Sequence, residues 1–250
     1  MIYVCVPVHD EVGTVGALLW KVRKVMAQFG RDYRIIVLDD ASSDGTFATL
    51  ERYRTSLPLT LLRSEERLGY GRAVERLLRH AVENASYPKR DCAVVLQADF
   101  SEDPADLETL VKAVEGGADI VAGVEVEGKA RGPRAVRLAR WMAPLCLGPA
   151  FQKSPVSDPL SGYRAYRVIV LKKAFREGED LLAPAADRWA ANVGFLGAFA
   201  PHARRIEESP LALRYELMIR ASRFRPVRAL RELLRVRGVR YGAAPLERAA

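Results

Sequence analysis

The sequence is short of cysteine and histidine, has no long uninterrupted apolar run, and lacks a glycine-rich fingerprint. Each shortage removes a class of protein. The three cysteines, Cys5, Cys92 and Cys146, are far apart. An odd, unpaired set argues against a disulfide framework and for a reducing compartment. Cysteine and histidine form no cluster with metal-ligand spacing. The weakly apolar runs near 141–151 and 189–201 are broken by Pro or Gly, and fall short of the roughly 20 residues that a bilayer span needs. The opening stretch "MIYVCVPVHDE" lacks the basic and apolar regions of a secretory leader. No G-x-G-x-x-G follows the first apolar run, which counts against a dehydrogenase-type dinucleotide site. A soluble protein, or one peripheral to a membrane, is expected.

What the chain does have is arginine and regular alternation. Across 250 residues, 39 Lys and Arg face 31 Asp and Glu, a net charge of +8. Lys129, Arg131, Arg134, Arg137 and Arg140 follow one another without an acid, and 214–240 is dense in Arg against Glu216 and Glu232. Such patches favour phosphates on nucleotides, nucleic acids or lipid headgroups. The continuous apolar run "IYVCVPV" (2–8) predicts a buried strand, and helical spacing follows over 14–29. Strands over 33–40, 59–64, 92–99 and 119–126 alternate with helices over 45–56, 71–85 and 104–117. This βα alternation predicts a doubly wound, mainly parallel sheet with helices on both faces. Functional groups then belong at the carboxyl ends of the strands. Glu11, Asp39, Asp40 and Asp99 fall there.

Two loops carry candidate chemistry. "VLDDASSDGT" (37–46) sets adjacent acids on a strand end, able to accept from base and ribose donors. Read alone, Asp44-Gly45 also suits a plain turn, and Ser42 or Ser43 a helix cap. "LQADFSEDP" (96–104) is an acidic loop closing an apolar strand. It is a strand end of the kind that often binds a divalent metal through its carboxylates, with Gln97 at the first position and an acid at Asp99. Mg²⁺ needs only one or two carboxylates there. The plainer readings are an N-cap for Ser101 and an ordinary acidic first turn for Glu102 and Asp103. Trp20 and Trp189 are expected to pack, and Trp141 to lie at an interface.

In order, "VPVHDE", "VLDDASSDGT", "RLGYGRAV", "LQADFSEDP" and "VSDPLSGYRAYR" resemble the inverting family-2 glycosyltransferases of GT-A fold. Within these the chain is most similar to the polyprenyl-phosphate (dolichyl-phosphate) mannosyl- and glucosyltransferase group. The resemblance implies nucleotide-binding roles for Pro7, His9, Glu11, Asp39, Asp40, Gln97 and Ala98, with Asp40 leading its pair. It implies Mg²⁺ or Mn²⁺ on Asp99, although Gln97 replaces the first acid of the family's Asp-x-Asp motif. It implies a catalytic carboxylate at Asp158, and acceptor-phosphate contacts from Arg131, Arg134 and Arg164.

The expected protein binds a nucleotide sugar and a lipid-phosphate acceptor, not nucleic acid, and has no transmembrane segment. It is expected to be cytoplasmic, peripheral on the inner face of a membrane, with the basic segments 134–147 and 223–237 available to that surface. Residues 1–128 form the donor half of one GT-A domain, and 129–250 the acceptor half with a basic tail. The alternatives are a saccharide or small hydroxyl acceptor, or a catalytically weak nucleotide-sugar-binding protein.

Overall fold

Strand β1 (Ile2–Val8) is apolar at nearly every position because both of its faces are covered. Side chains alternate across a strand. Ile2, Val4, Val6 and Val8 pack with Leu18, Leu19 and Val22 of α1 (Val15–Phe29) and with Leu107, Leu110 and Val111 of α4 (Leu107–Glu115). Tyr3 and Cys5 face the other layer, with Val74, Leu77 and Leu78 of α3 (Tyr70–Asn84). Each buried Val or Leu contributes up to about 1.5–3 kcal/mol. The computed structural model describes residues 1–125, 134–178, 188–211 and 225–242.

The remaining early elements are β2 (Tyr33–Asp40), α2 (Thr46–Glu51), β3 (Leu59–Ser64), β4 (Cys92–Val95) and β5 (Ile120–Glu125). They follow the predicted alternation, with shorter ends for α2 and β4. α1 ends where Gly30 takes φ 64, and its N–H reaches back to the Met26 carbonyl, the left-handed helix stop that glycine permits.

Among the described residues the sheet has seven strands in the order β3-β2-β1-β4-β6-β5-β7. β1 pairs in parallel with β2 on one side and β4 on the other. The winding reverses there, so the crevice lies outside the carboxyl ends of β1 and β4.

The second half supplies α5 (Arg134–Leu147), α6 (Pro149–Gln152), β6 (Arg164–Arg167), α7 (Val168–Glu177), α8 (Arg188–Phe199), β7 (Ile206–Leu211) and α9 (Pro226–Arg235). Its strands join the same sheet. β6 runs antiparallel between β4 and β5, and β7 adds in parallel to β5. Arg167 clamps this insertion, donating to Asp119 Oδ1 at 3.0 Å and to the Lys89 and Ala118 carbonyls at 2.9 and 2.8 Å. The polar, Pro- and Gly-punctuated stretch 151–167 therefore ends in a strand. Four residues, two of them Arg, are too few to display a period.

α9 buries Ala229, Glu232 and Leu233 against α5 and α8. On α5, Leu138, Trp141 and Leu145 form one exposed stripe, with Trp141 72% exposed. Val227 and Leu234 of α9 are exposed too, as are Arg134, Arg137, Arg228, Arg231 and Arg235. Trp189 packs as expected, but Trp20 does not: it is 59% exposed on the outer side of α1. Among the described residues no helix is long and apolar enough to cross a membrane.

Candidate active site

The loops that leave the central strands are strained and then locked. Asp10, Ala41 and Phe100 are the non-glycine residues with positive φ among those described, at 50°, 53° and 61°. Such residues cost about 1–3 kcal/mol each and persist where surrounding contacts over-determine them. Asp10 Oδ1 accepts from the Ser43 N–H at 2.8 Å, and Ser42 Oγ accepts from the Asp10 N–H at 2.9 Å. Thr46 Oγ1 accepts from the Glu11 N–H at 2.8 Å. Asp44 accepts from the Val12 N–H at 3.1 Å and from the Thr46 N–H at 3.0 Å. Burial raises the pKa of Asp44, but the bonds from Thr46 and Val12 outweigh it and hold the carboxyl below its ordinary range. "DDASSDGT" thus ties the loop after β2 to the loop after β1.

Asp39 and Asp40 divide the work. Asp40 Oδ1 accepts from the Leu68 N–H at 2.6 Å, and Oδ2 from the Gly69 N–H at 2.9 Å. It fixes the "RLGYG" turn. Its backbone carbonyl accepts from His9 Nδ1 at 2.7 Å. A carbonyl only accepts, so that ring nitrogen carries the proton. Asp39 is 0% exposed, and neither carboxylate oxygen has a hydrogen-bond partner. Arg63 Nε comes within 3.8 Å, its guanidinium lying over the Phe47 ring at 4.3 Å. An unmet buried carboxylate is costly, and marks where a ligand's N–H or O–H groups are needed. Glu11 is buried beside this pair of acids and accepts from Thr14 Oγ1 at 3.0 Å. Pro7 lies on β1 opposite Leu38, and Ala98 is packed in the apolar layer beneath the loop.

The opening of α4 is built from "QADFSEDP". Asp103, not Ser101, caps the single 3-10 turn (Pro104–Asp106) that leads into α4, accepting from the Ala105 N–H at 3.0 Å. Glu102 does not face solvent as a first-turn acid would. It is 2% exposed and accepts from the Gln97 N–H at 2.8 Å. Burial outweighs the nearby Arg188 charge and pushes its carboxyl up to about 7. Gln97 Nε2 donates to the Tyr70 hydroxyl at 3.1 Å, and that hydroxyl donates to Asn192 Oδ1 at 3.0 Å. A carboxylate at position 97 has no proton to offer Tyr70, so the amide suits this link. Asp99 Oδ1 accepts from the Ser101 N–H at 3.0 Å and hydroxyl at 2.6 Å. Asp99 Oδ2 lies 3.7 Å from Arg188 Nη1.

The link continues to the second half. Asn192 Nδ2 donates to the Leu160 carbonyl at 2.8 Å, and Asp158 Oδ1 accepts from the Leu160 N–H at 3.0 Å. Asp158 Oδ2 pairs with Arg140 of α5. A Cβ at Gly162 would lie 2.7 Å from the Tyr70 hydroxyl and 2.9 Å from Asn192 Nδ2, so a larger residue there has to push the Tyr70–Asn192 link aside. Arg164 does not meet the expectation of a phosphate contact. It is 0% exposed, donating Nη1 to the Asn192 carbonyl at 2.6 Å and Nη2 to the Pro159 carbonyl at 2.7 Å. Arg134 is exposed at the start of α5, and Arg131 lies outside the described residues.

Among the described residues no group of three or more His, Cys, Asp or Glu could hold a metal. Asp99 offers a single carboxylate. Mg²⁺ and its like accept one or two carboxylates when substrate phosphates and water complete the shell. The residues therefore fit an ion that arrives with a diphosphate, not one caged by protein alone. Arg140, Arg188, Tyr70 and Asn192 were not foreseen as site residues. Only Tyr70 had a local signal, inside "RLGYG".

A doubly wound sheet with one inserted antiparallel strand and acids at its central carboxyl ends defines the GT-A glycosyltransferase architecture. The chain belongs to glycosyl transferase family 2, whose model matches residues 3–175. It is 26% identical over 189 residues to dolichol-phosphate mannosyltransferase of Pyrococcus furiosus, covering 71% of this chain and 48% of that protein. It is 27% identical over 173 residues to undecaprenyl-phosphate 4-deoxy-4-formamido-L-arabinose transferase of Pseudomonas fluorescens, covering 67% and 47%. The chain thus spans about half the length of these curated relatives. Its fold is similar to glucosyl-3-phosphoglycerate synthase from Mycobacterium tuberculosis, solved with Mn²⁺, UDP-glucose and phosphoglyceric acid. There the TM-score is 0.62 at 22% identity, over 96% of this chain and 80% of that one. TarS of S. aureus in complex with UDP-GlcNAc matches at TM-score 0.53 and 19% identity, over 83% and 55%. The resemblance drawn from the motifs holds at the level of family and fold.

Proposed function

We propose that the protein transfers a hexose, with inversion, from a nucleoside-diphosphate sugar of GDP-mannose or UDP-glucose type to polyprenyl phosphate at a membrane surface. One observation carries the donor side: Asp39, buried at the carboxyl end of β2 beside β1, with two unmet acceptor atoms. Base or ribose donors satisfy it, while Glu11 and the locked loops around His9 and Asp40 shape the pocket. Residues 1–128 are the donor half, and 129–250 the acceptor half.

An acceptor oxygen attacks the anomeric carbon as the bond to the diphosphate oxygen breaks on the opposite face. Mg²⁺ or Mn²⁺, when bound at Asp99, supplies charge neutralisation for that leaving group. Asp158 faces the acceptor. It takes the proton of a hydroxyl acceptor, or orients a phosphate that is already mostly ionised, since its second pKa is near 6. Arg131 and Arg134 attract the acceptor phosphate. The exposed apolar-basic face of α5 and α9 supports a lipid acceptor and a peripheral location.

Calorimetry with GDP and UDP, with and without Mn²⁺, tests the donor reading. One nucleotide binds the wild type, and Asp39→Asn weakens it by about tenfold or more, the loss of hydrogen bonds to a buried charge. Asp99→Asn removes the Mn²⁺ dependence. No binding of any nucleoside diphosphate sinks the reading. Transfer of labelled sugar to undecaprenyl phosphate, compared with free saccharides, separates lipid from non-lipid acceptors.

A further inference from the structure

Trp20 stands outside the core that it was expected to join. On α1 it shares a face with Gly16, four residues before it, and Arg23, three residues after it. A second stripe with helical spacing runs opposite, through Thr49, Arg52, Tyr53 and Ser56. Thr49 belongs to α2, and the turns that follow keep the helical direction: the Ser56 and Leu57 N–H groups return to the Tyr53 carbonyl at 3.1 and 3.0 Å. Between the stripes lies a cavity of about 320 Å³, with the buried Leu57 among its lining residues. Gly16 lets Tyr53 lean against α1, since a Cβ there would lie 2.6 Å from the Tyr53 hydroxyl.

The chemistry of this wedge is one-sided. None of its lining residues is acidic. The guanidinium groups of Arg23 and Arg52 and the indole N–H of Trp20 can only donate, and three hydroxyl groups stand with them. Both arginines are exposed, and neither is in an ion pair among the described residues; the neighbouring acid, Glu51, is taken by Arg54. Two uncompensated cations on one cavity repel each other, and an anion between them relieves that repulsion. The planar fork of a guanidinium matches a phosphate. The exposed Trp20 adds a flat apolar surface that a ring covers favourably. The volume is at the small end of ligand sites, which run from about 300 to 1,000 Å³. It has room for one ring system and one phosphate.

We propose that the wedge between α1 and residues 49–57 binds a small phosphate monoester carried on a planar ring, with Arg23 and Arg52 on the phosphate and Trp20 against the ring. A nucleoside monophosphate and a simple aryl phosphate share this chemistry. The site stands apart from the donor crevice, since Asp39, Asp99 and Asp158 take no part in its lining, and it does not depend on the donor reading.

The full chain labelled with ¹⁵N gives indole signals from Trp20, Trp141 and Trp189, and Trp20→Phe identifies the first of them. It is titrated with phenyl phosphate, inorganic phosphate, phenol, AMP and UMP. Phenyl phosphate is expected to move the Trp20 signal saturably and to leave that of the buried Trp189 in place. Inorganic phosphate and phenol, each with half of the recognised chemistry, bind about tenfold or more weakly. Arg23→Ala and Arg52→Ala each weaken phenyl phosphate binding by about tenfold or more, the loss of a charge-assisted contact. Asp39→Asn leaves it unchanged. The same movement with AMP or UMP assigns the site to nucleoside phosphates, and movement with phenyl phosphate alone assigns it to aryl phosphates. No saturable movement of the Trp20 signal with any of these three overturns the proposal. So does equal affinity for inorganic phosphate, equal affinity for phenol, or an unchanged affinity in either arginine variant. A loss in Asp39→Asn places the ligand in the donor crevice and overturns this inference alone. A wild type that binds no nucleoside diphosphate sinks the donor reading and leaves this one standing.

Discussion

Glu102 gives the site its own response to pH. In an unfolded chain it titrates near 4.5, and in the fold near 7. The folded protein therefore holds the proton more tightly between those values. From this group, stability is full below about pH 4.5 and declines as pH rises toward 7. The loss then levels at about 3 kcal/mol. Glu102→Gln keeps an oxygen for the Gln97 N–H and has no proton to lose. Its melting temperature is expected to fall less than that of the wild type between pH 5 and pH 8, and parallel curves would contradict this. Single residues were also the least legible level of the sequence. Asp39 and Asp40 are chemically identical neighbours. Only the fold assigns two backbone N–H donors to Asp40 and none to Asp39. Arg164 reads as a phosphate contact until β6 is seen to run through the middle of the sheet.

At the scale of elements, legibility followed length and period. The 15 residues of α1 and of α3 repeat their apolar positions enough to be read directly. The four residues of β6 do not, and its antiparallel pairing depends on partners far off in the chain. α5 was legible as an amphipathic segment, yet its sides serve opposite purposes. Arg140 turns inward to Asp158, while Leu138, Trp141 and Leu145 turn out. Replacing those three with Gln is expected to weaken binding to anionic vesicles by about tenfold or more, from lost apolar insertion. Nucleotide binding should stay unchanged. Sedimentation with phosphatidylglycerol vesicles measures this, and undiminished vesicle binding would place the membrane contact elsewhere. The arginines beside the stripe make the wild-type interaction fall with added salt.

For the whole molecule, the alternating first half made the fold class readable, since a parallel sheet demands helices between its strands. The closing of the sheet was not readable, because it depends on segments that lack the pattern. That closing has a consequence for synthesis. β5 leaves the ribosome before either strand that flanks it, since β6 and β7 both come later in the chain. Until then β4 and β5 each offer a bare row of amide and carbonyl groups, the template on which chains aggregate. Residues 1–128 expressed alone are therefore expected to aggregate or stay loosely folded, as measured by solubility and by the absence of a cooperative melt. A soluble, cooperatively melting fragment would show that the early half closes its own edge. The donor side can be read first in the sequence, but it is completed last.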